Sequence, residues 1–157
     1  MGEQARKFYS FQDRTQPDAI VVHCSDHRFQ EAFRLFVKDE LKIESPAPIV
    51  IPGSISSVGL ELVMPKHAKA LKDYVEFMVE HGKAARLVFI NHEDCKMYEK
   101  LRSYFHLALL QQQTHDLLLA VQFFKKFLPH WLAVEVYMAR LEATDPKAKK
   151  VYFEKLA

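Results

Sequence analysis

The stretch A-I-V-V-H-C-S-D-H-R-F, residues 19–29, decides how the chain is read. Residues 19–22 form a continuous apolar, largely β-branched run, which suits a strand covered on both faces. Ser25 and Asp26 are good helix N-cap residues, and Phe29, Phe33, Phe36 and Val37 follow at helical spacing. Cys24 therefore stands where a strand gives way to a helix, at the strand's carboxyl end. Open α/β sheets place their ligands there. A thiol beside a helix N-terminus is biased toward thiolate, the form that binds metal or attacks an electrophile.

Outward from this stretch, the same grammar recurs. Residues 49–51 read as a second buried strand after the breaker S-P-A-P, and 66–81 as an amphipathic helix with Gly82 in the C′ position. Residues 54–65 carry few periodic cues and read as a loop. Residues 86–90 form a third apolar strand, followed by the polar turn N-H-E-D-C and a helix from Cys95 to about residue 110. Thr114 or Asp116 is placed to cap a further helix through Leu128. Residues 133–143 alternate as a half-exposed strand, and 151–153 pair back as a short hairpin strand. The order βαβαβααβ(β) predicts an α/β fold, a mostly parallel central sheet flanked by helices. Residues 1–18 read as an N-terminal arm whose Phe8, Tyr9 and Phe11 need a packing partner, and 19–157 as one α/β domain.

Composition narrows the function. The 157 residues suit a single domain with a real core, and 49% hydrophobic with 27% charged residues is an ordinary globular mix. A net charge of +2 without a Lys/Arg run argues against nucleic acid. No apolar run approaches a membrane span and the N-terminus lacks a signal-peptide core, so the expected location is cytoplasmic, with no membrane partner. In a reducing compartment the two cysteines, Cys24 and Cys95, point to metal or redox chemistry more than to structural pairing.

If the first and third strands are neighbours, Cys24, His92 and Cys95 converge on one rim. Two thiolates and an imidazole suit Zn2+, and three protein ligands leave the open position of a catalytic site. Asp26 and Arg28 can hold each other, leaving Asp26 to accept a hydrogen bond from metal-bound water. Against this stand plainer readings: both cysteines as small buried hydrophobes, Asp26 as an N-cap with Arg28 its surface partner, and Glu93 and Asp94 as favourable charges at a helix N-terminus. His23 reads as a core or interface histidine. His67, His81, His106, His115 and His130 have no partner at ligand spacing.

C-S-D-H-R (Cys24 to Arg28) and N-H-E-D-C (Asn91 to Cys95) resemble the two metal-binding motifs of the beta-class carbonic anhydrases, C-x-D-x-R and H-x-x-C. The resemblance implies zinc held by Cys24, His92 and Cys95, and a catalytic dyad of Asp26 and Arg28 that either orients the zinc-bound nucleophile or lets Asp26 swing in as a fourth ligand. It implies reversible hydration of CO2 to bicarbonate by zinc-bound hydroxide. It also implies a homodimer built through the sheet edge and the N-terminal arm. The chain departs from the family's pattern at several positions. His27 replaces the usual Ser, Pro52–Ile55 replaces R-N-A-G, Asn91 and Lys96 replace glycines, and Thr15 occupies the place of a pocket Gln. These changes leave the ligands intact and alter the pocket. Two alternatives follow: a divergent zinc protein that acts on another small electrophile or has no turnover, and a thiol redox sensor using Cys24 and Cys95.

Overall fold

The computed structural model describes residues 6–157. Its sheet has five strands in the order β2-β1-β3-β4-β5. These are β1 (Ala19–His23), β2 (Pro46–Val50), β3 (Arg86–His92), β4 (Ala133–Glu142) and β5 (Lys150–Lys155). The first four are parallel, and β5 returns antiparallel to β4. Side chains two apart along a strand share a face, and this period divides the core in two. Ile20, Val22, Leu87, Phe89, Val136 and Met138 face α3 (Pro65–Gly82) and α5 (Leu109–Lys125). Val21, Val88, Ile90 and Tyr137 face Phe29, Phe33, Phe36 and Val37 of the helical stretch after β1. That stretch is a 3-10 turn (His27–Phe29), α1 (Gln30–Leu35) and a π turn (Phe36–Glu40) in series.

Several sequence expectations are corrected. β2 begins earlier than residue 49 and contains Pro46 and Pro48. Ile51 donates its N–H to His23 O (3.1 Å), so odd-numbered residues turn their donors inward. The prolines, which have no donor, fall on the free outer edge where none is needed. That edge also resists pairing with another strand. The stretch read as a loop contains α2 (Ser56–Gly59), too short to give a periodic signal. Gly82 ends α3 as a helical residue facing Pro17, and Lys83 takes the left-handed turn (φ 53°). Gln16 Nε2 donates to Lys83 O at 2.9 Å and ties this turn to the chain entering β1.

The helix expected from Cys95 to residue 110 is instead α4 (Lys96–Lys100) and a 3-10 turn (Arg102–Tyr104). The chain then turns so that Phe105 stacks on Tyr98, 5.4 Å between ring centres. Neither Thr114 nor Asp116 is a cap, because α5 runs straight through both. β4 lies inside the sheet, with Val136 to Ala139 buried, and β5 takes the edge. The arm's Phe8, Tyr9 and Phe11 are exposed in this single chain. Among the described residues no helix is long and apolar enough to cross a membrane.

Asp116 anchors a buried polar knot. It accepts from the Tyr98 hydroxyl (2.9 Å) and from Gln112 Nε2 (2.8 Å), while burial pushes its carboxyl pKa up. Gly59 lies flat against this carboxylate: a Cβ there would sit 2.3 Å from Asp116 Cγ. We expect Gly59→Ala to destabilise the chain by about 2–3 kcal/mol in denaturant unfolding. Gly59→Ala combined with Asp116→Ala should cost clearly less than the sum of the two single changes. An additive double mutant would refute the steric account.

Candidate metal centre

β1 and β3 are hydrogen-bonded neighbours with His23 beside Ile90, so their carboxyl ends open on the same rim. β1 delivers Cys24 directly. β3 runs two residues further than the sequence suggests and carries His92 on its last position. Glu93 and Asp94 then turn the chain, with Asp94 left-handed (φ 57°), and Cys95 precedes α4. The donor atoms of Cys24, His92 and Cys95 all lie within 4.8 Å of one another, and the two Sγ atoms are 4.0 Å apart.

The imidazole is poised. His92 is wholly buried against Phe29, 4.2 Å between ring centres. Its Nδ1 lies 2.7 Å from Glu93 O, a contact that needs the proton on Nδ1. Nε2 is left with a lone pair and no hydrogen-bond partner. A buried, unpartnered acceptor is costly in a folded chain. Together with two sulfurs within reach, it fits a four-coordinate thiophilic ion such as zinc.

The thiols are unequal. Cys24 is held well below the ordinary thiol pKa, chiefly by a hydrogen bond from Cys95 and further by the Gly53 N–H. The Gly53 N–H lies 3.3 Å from Cys24 Sγ. Cys95 is pushed up, chiefly by the hydrogen bond it shares with Cys24 and then by burial. Thiols bind metal as thiolates, so loading the site would release protons.

The second set of residues lies beside these donors. Asp26 accepts from Arg28 Nε (3.0 Å), Arg28 NH2 (2.7 Å) and the Arg28 backbone N–H (3.0 Å). Its carboxyl is drawn down to about 2, mainly by those guanidinium hydrogen bonds. Asp26 Oδ2 stands 4.0 Å from His92 Nε2. Arg28 also reaches across the rim to Asp94, donating to Oδ2 at 2.8 Å and to O at 3.0 Å. An open cleft of about 430 Å³ lies over this group, lined by Cys24, Asp26, His27, Arg28, Pro52 and Met97 among others. His27 is exposed on it.

The acids after His92 do not act chiefly on a helix terminus. Glu93 pairs with Arg140 Nε (2.6 Å) and accepts the Leu141 N–H (2.8 Å), fastening the turn to β4. Asp94 serves Arg28. Sequence reasoning also passed over Gln30, whose Nε2 donates to Cys24 O (3.0 Å) and Asp26 O (2.7 Å). Its signal was its place four residues after Asp26, one helical turn on. His23 is buried, as its strand position suggested, with Nδ1 2.9 Å from Cys24 O. The five other histidines lie outside the donor group.

Comparison with known proteins places the fold. No protein-family model matches the sequence, and no curated protein does. Among solved structures, the chain is similar to a beta-carbonic anhydrase isoform from Trichomonas vaginalis. That pair shares 14% identity over 94% of this chain and 87% of that one, with a TM-score of 0.57. It is also similar to the beta-carbonic anhydrase CafA of Aspergillus fumigatus, at 12% identity over 90% of this chain and 76% of that one, TM-score 0.55. At such identities the likeness establishes the fold. The chain has the beta carbonic anhydrase fold, with a Cys–His–Cys group on its rim that could hold a metal ion.

The Asp26–Arg28 pair yields a pH test. The Asp26 pKa falls from 3.8 to about 2 on folding, so its stabilisation is present above pH 3.8 and is lost as pH falls through about 2. Arg28→Gln should destabilise the chain by about 1 kcal/mol at neutral pH. The gap between the two proteins should close on acidification through that window. A gap of constant size down to pH 2 would show that Arg28 acts by packing rather than by charge.

Proposed function

We propose that the protein is a zinc-dependent lyase of the carbonic anhydrase type that interconverts CO2 and bicarbonate. One observation carries this reading: His92 Nε2, buried and without a partner, faces two thiols at the rim where β1 and β3 end. The likeness of fold supports it, although fold alone does not settle chemistry.

Cys24, His92 and Cys95 would hold the ion. A bound zinc supplies Lewis acidity that brings the ionisation of water near neutral pH. Around it the chain's own residues have distinct tasks. Arg28 keeps Asp26 anionic and fixes its direction, so that Asp26 accepts a hydrogen bond from the attacking water and orients the oxygen's lone pair toward CO2. Pro52 and Met97 give the cleft an apolar wall suited to a small, uncharged substrate. Gln30 and Gly53 hold the Cys24 loop still. This reading places the protein in a reducing compartment, the cytoplasm, where a thiolate ligand set is kept available for metal. The exposed aromatics of the arm support a homodimer or larger homo-oligomer.

The same thiol distance favours a second reading, a redox sensor in which Cys24 and Cys95 join as a disulfide. A third keeps the zinc but takes another small electrophile, because the proline-bearing turn and His27 reshape the cleft. Zinc content and stopped-flow CO2 hydration on one reduced sample separate the three. The carbonic anhydrase reading expects about one zinc per chain with fast hydration. Zinc without hydration favours the altered substrate, and failure to take up zinc leaves the redox reading. Asp26→Asn should keep its zinc while kcat falls about 100-fold; unchanged turnover would remove Asp26 from the mechanism.

A further inference from the structure

A second cleft, of about 300 Å³, lies between the start of α3 and the turn that leaves β2. Met64, Leu71, Met97 and Pro52 give it apolar walls, and Ser54 and Ser57 also line it. It adjoins the metal-facing cleft, and Pro52 and Met97 belong to both. No carboxylate, ammonium or guanidinium lines it; His67 is its one imidazole.

Two features of this cleft are costly to an empty fold. The Ser54 and Ser57 hydroxyls are buried with no hydrogen-bond partner, on residues only 2% and 4% exposed. Alanine at either position would avoid the penalty of an unpaired buried hydroxyl. Ser54 also sits in the left-handed region (φ 50°), which non-glycine residues rarely occupy and which recurs at ligand sites. Both serines line the cleft, and a turn of either side chain about its Cα–Cβ bond would bring the hydroxyl round to a polar group entering it. With no opposite charge in the walls, an ionic ligand would lose its hydration without compensation.

We infer that this cleft is a binding site for a small neutral molecule with a compact apolar body and one carbonyl or hydroxyl group, received by Ser54 and Ser57. Gly53 relays occupancy to the neighbouring site. It stands between Pro52 and Ser54 and donates its N–H to Cys24 Sγ at 3.3 Å. A Cβ on Gly53 would lie 2.6 Å from Ser56 Oγ and 2.8 Å from Met97 Cγ, so the turn is packed tightly and moves as a unit. Binding at Ser54 therefore alters the hydrogen bond on Cys24. The inference goes beyond the carbonic anhydrase reading, since occupancy of this cleft requires neither metal nor turnover.

The probe is hexanamide, titrated into the isotope-labelled, reduced full chain and followed through backbone amide NMR shifts. The expected result is saturable movement of the Gly53, Ser54, Ser57 and Met97 signals with a Kd of about 1 mM. Ser57→Ala should weaken binding about fivefold. Ala70→Trp, which fills the cleft from α3, should abolish it, and Met64→Trp serves if that variant loses its native spectrum. Hexanoate, with the same body and a charged head, should bind at least about tenfold more weakly. Absence of saturation, equal affinity for hexanoate, or binding indifferent to the cleft-filling variants would overturn the assignment. Zinc content and CO2 turnover of the same sample report separately on the neighbouring site.

Discussion

The β1–β3 ladder sets Val21 beside Val88 and His23 beside Ile90, and every feature of the rim inherits its position from that pairing. Cys24 and Cys95 are 71 residues apart in sequence, yet their sulfurs lie 4.0 Å apart because two parallel strands end at the same level. Parallel pairing requires a crossover, and the chain makes it through the β2 and α3 segments. β2 and α3 are therefore the means by which two distant motifs meet, and they bring the Ile51–Ser57 turn to the same rim. A slip of one residue between β1 and β3 would turn each inward side chain to the opposite face. The division of the core into two faces of alternating residues, Val22 and Phe89 against Val21 and Val88, makes that slip costly.

Placing two thiols and an imidazole side by side out of water is unfavourable unless their polar atoms are answered. The chain answers some of them and leaves others. Glu93 O fixes Nδ1 of His92, while Cys95 and Gly53 satisfy Cys24. Arg28 meanwhile joins Asp26 of the first motif to Asp94 of the second, so a single guanidinium cross-links both loops. Nε2 of His92 alone has no answer among these donors. An open lone pair within reach of two sulfurs is the physical argument for a metal at this rim.

Much of this was legible in the sequence because it rests on local chemistry. The run before Cys24, the capping residue Asp26, and the H-x-x-C spacing each announce themselves within a few residues. What was not legible depends on distant partners. The prolines of β2 read as breakers, and only their position on an outer edge makes them compatible with a strand. Asp116 looked like a cap, since aspartate is favoured at helix starts; its burial follows from Tyr98 and Gly59, which no local pattern connects to it. The role of Asp94 was misread for a similar reason. Its sequence neighbours are a helix start, but its true partner is Arg28 on another strand's loop.

Backbone strain is distributed in the same way. Of the five positive-φ residues among those described, Lys42 and Lys83 follow helical segments, where a left-handed residue commonly ends a helix. The other three, Gly53, Ser54 and Asp94, lie on the two turns that face the thiols. Non-glycine residues in this region cost roughly 1 kcal/mol or more each and persist only where their surroundings over-determine them. Here the surroundings can be named. Asp94 is held by Arg28 and Lys96, and the adjoining Glu93 by Arg140 and the Leu141 amide. Gly53 and Ser54 are clamped between Ser56, Met97 and the Cys24 sulfur. A rim held this firmly before any ligand arrives loses little conformational freedom on binding. The salt links at its edge thus matter less for the stability of the sheet than for keeping three donor atoms within 4.8 Å of one another.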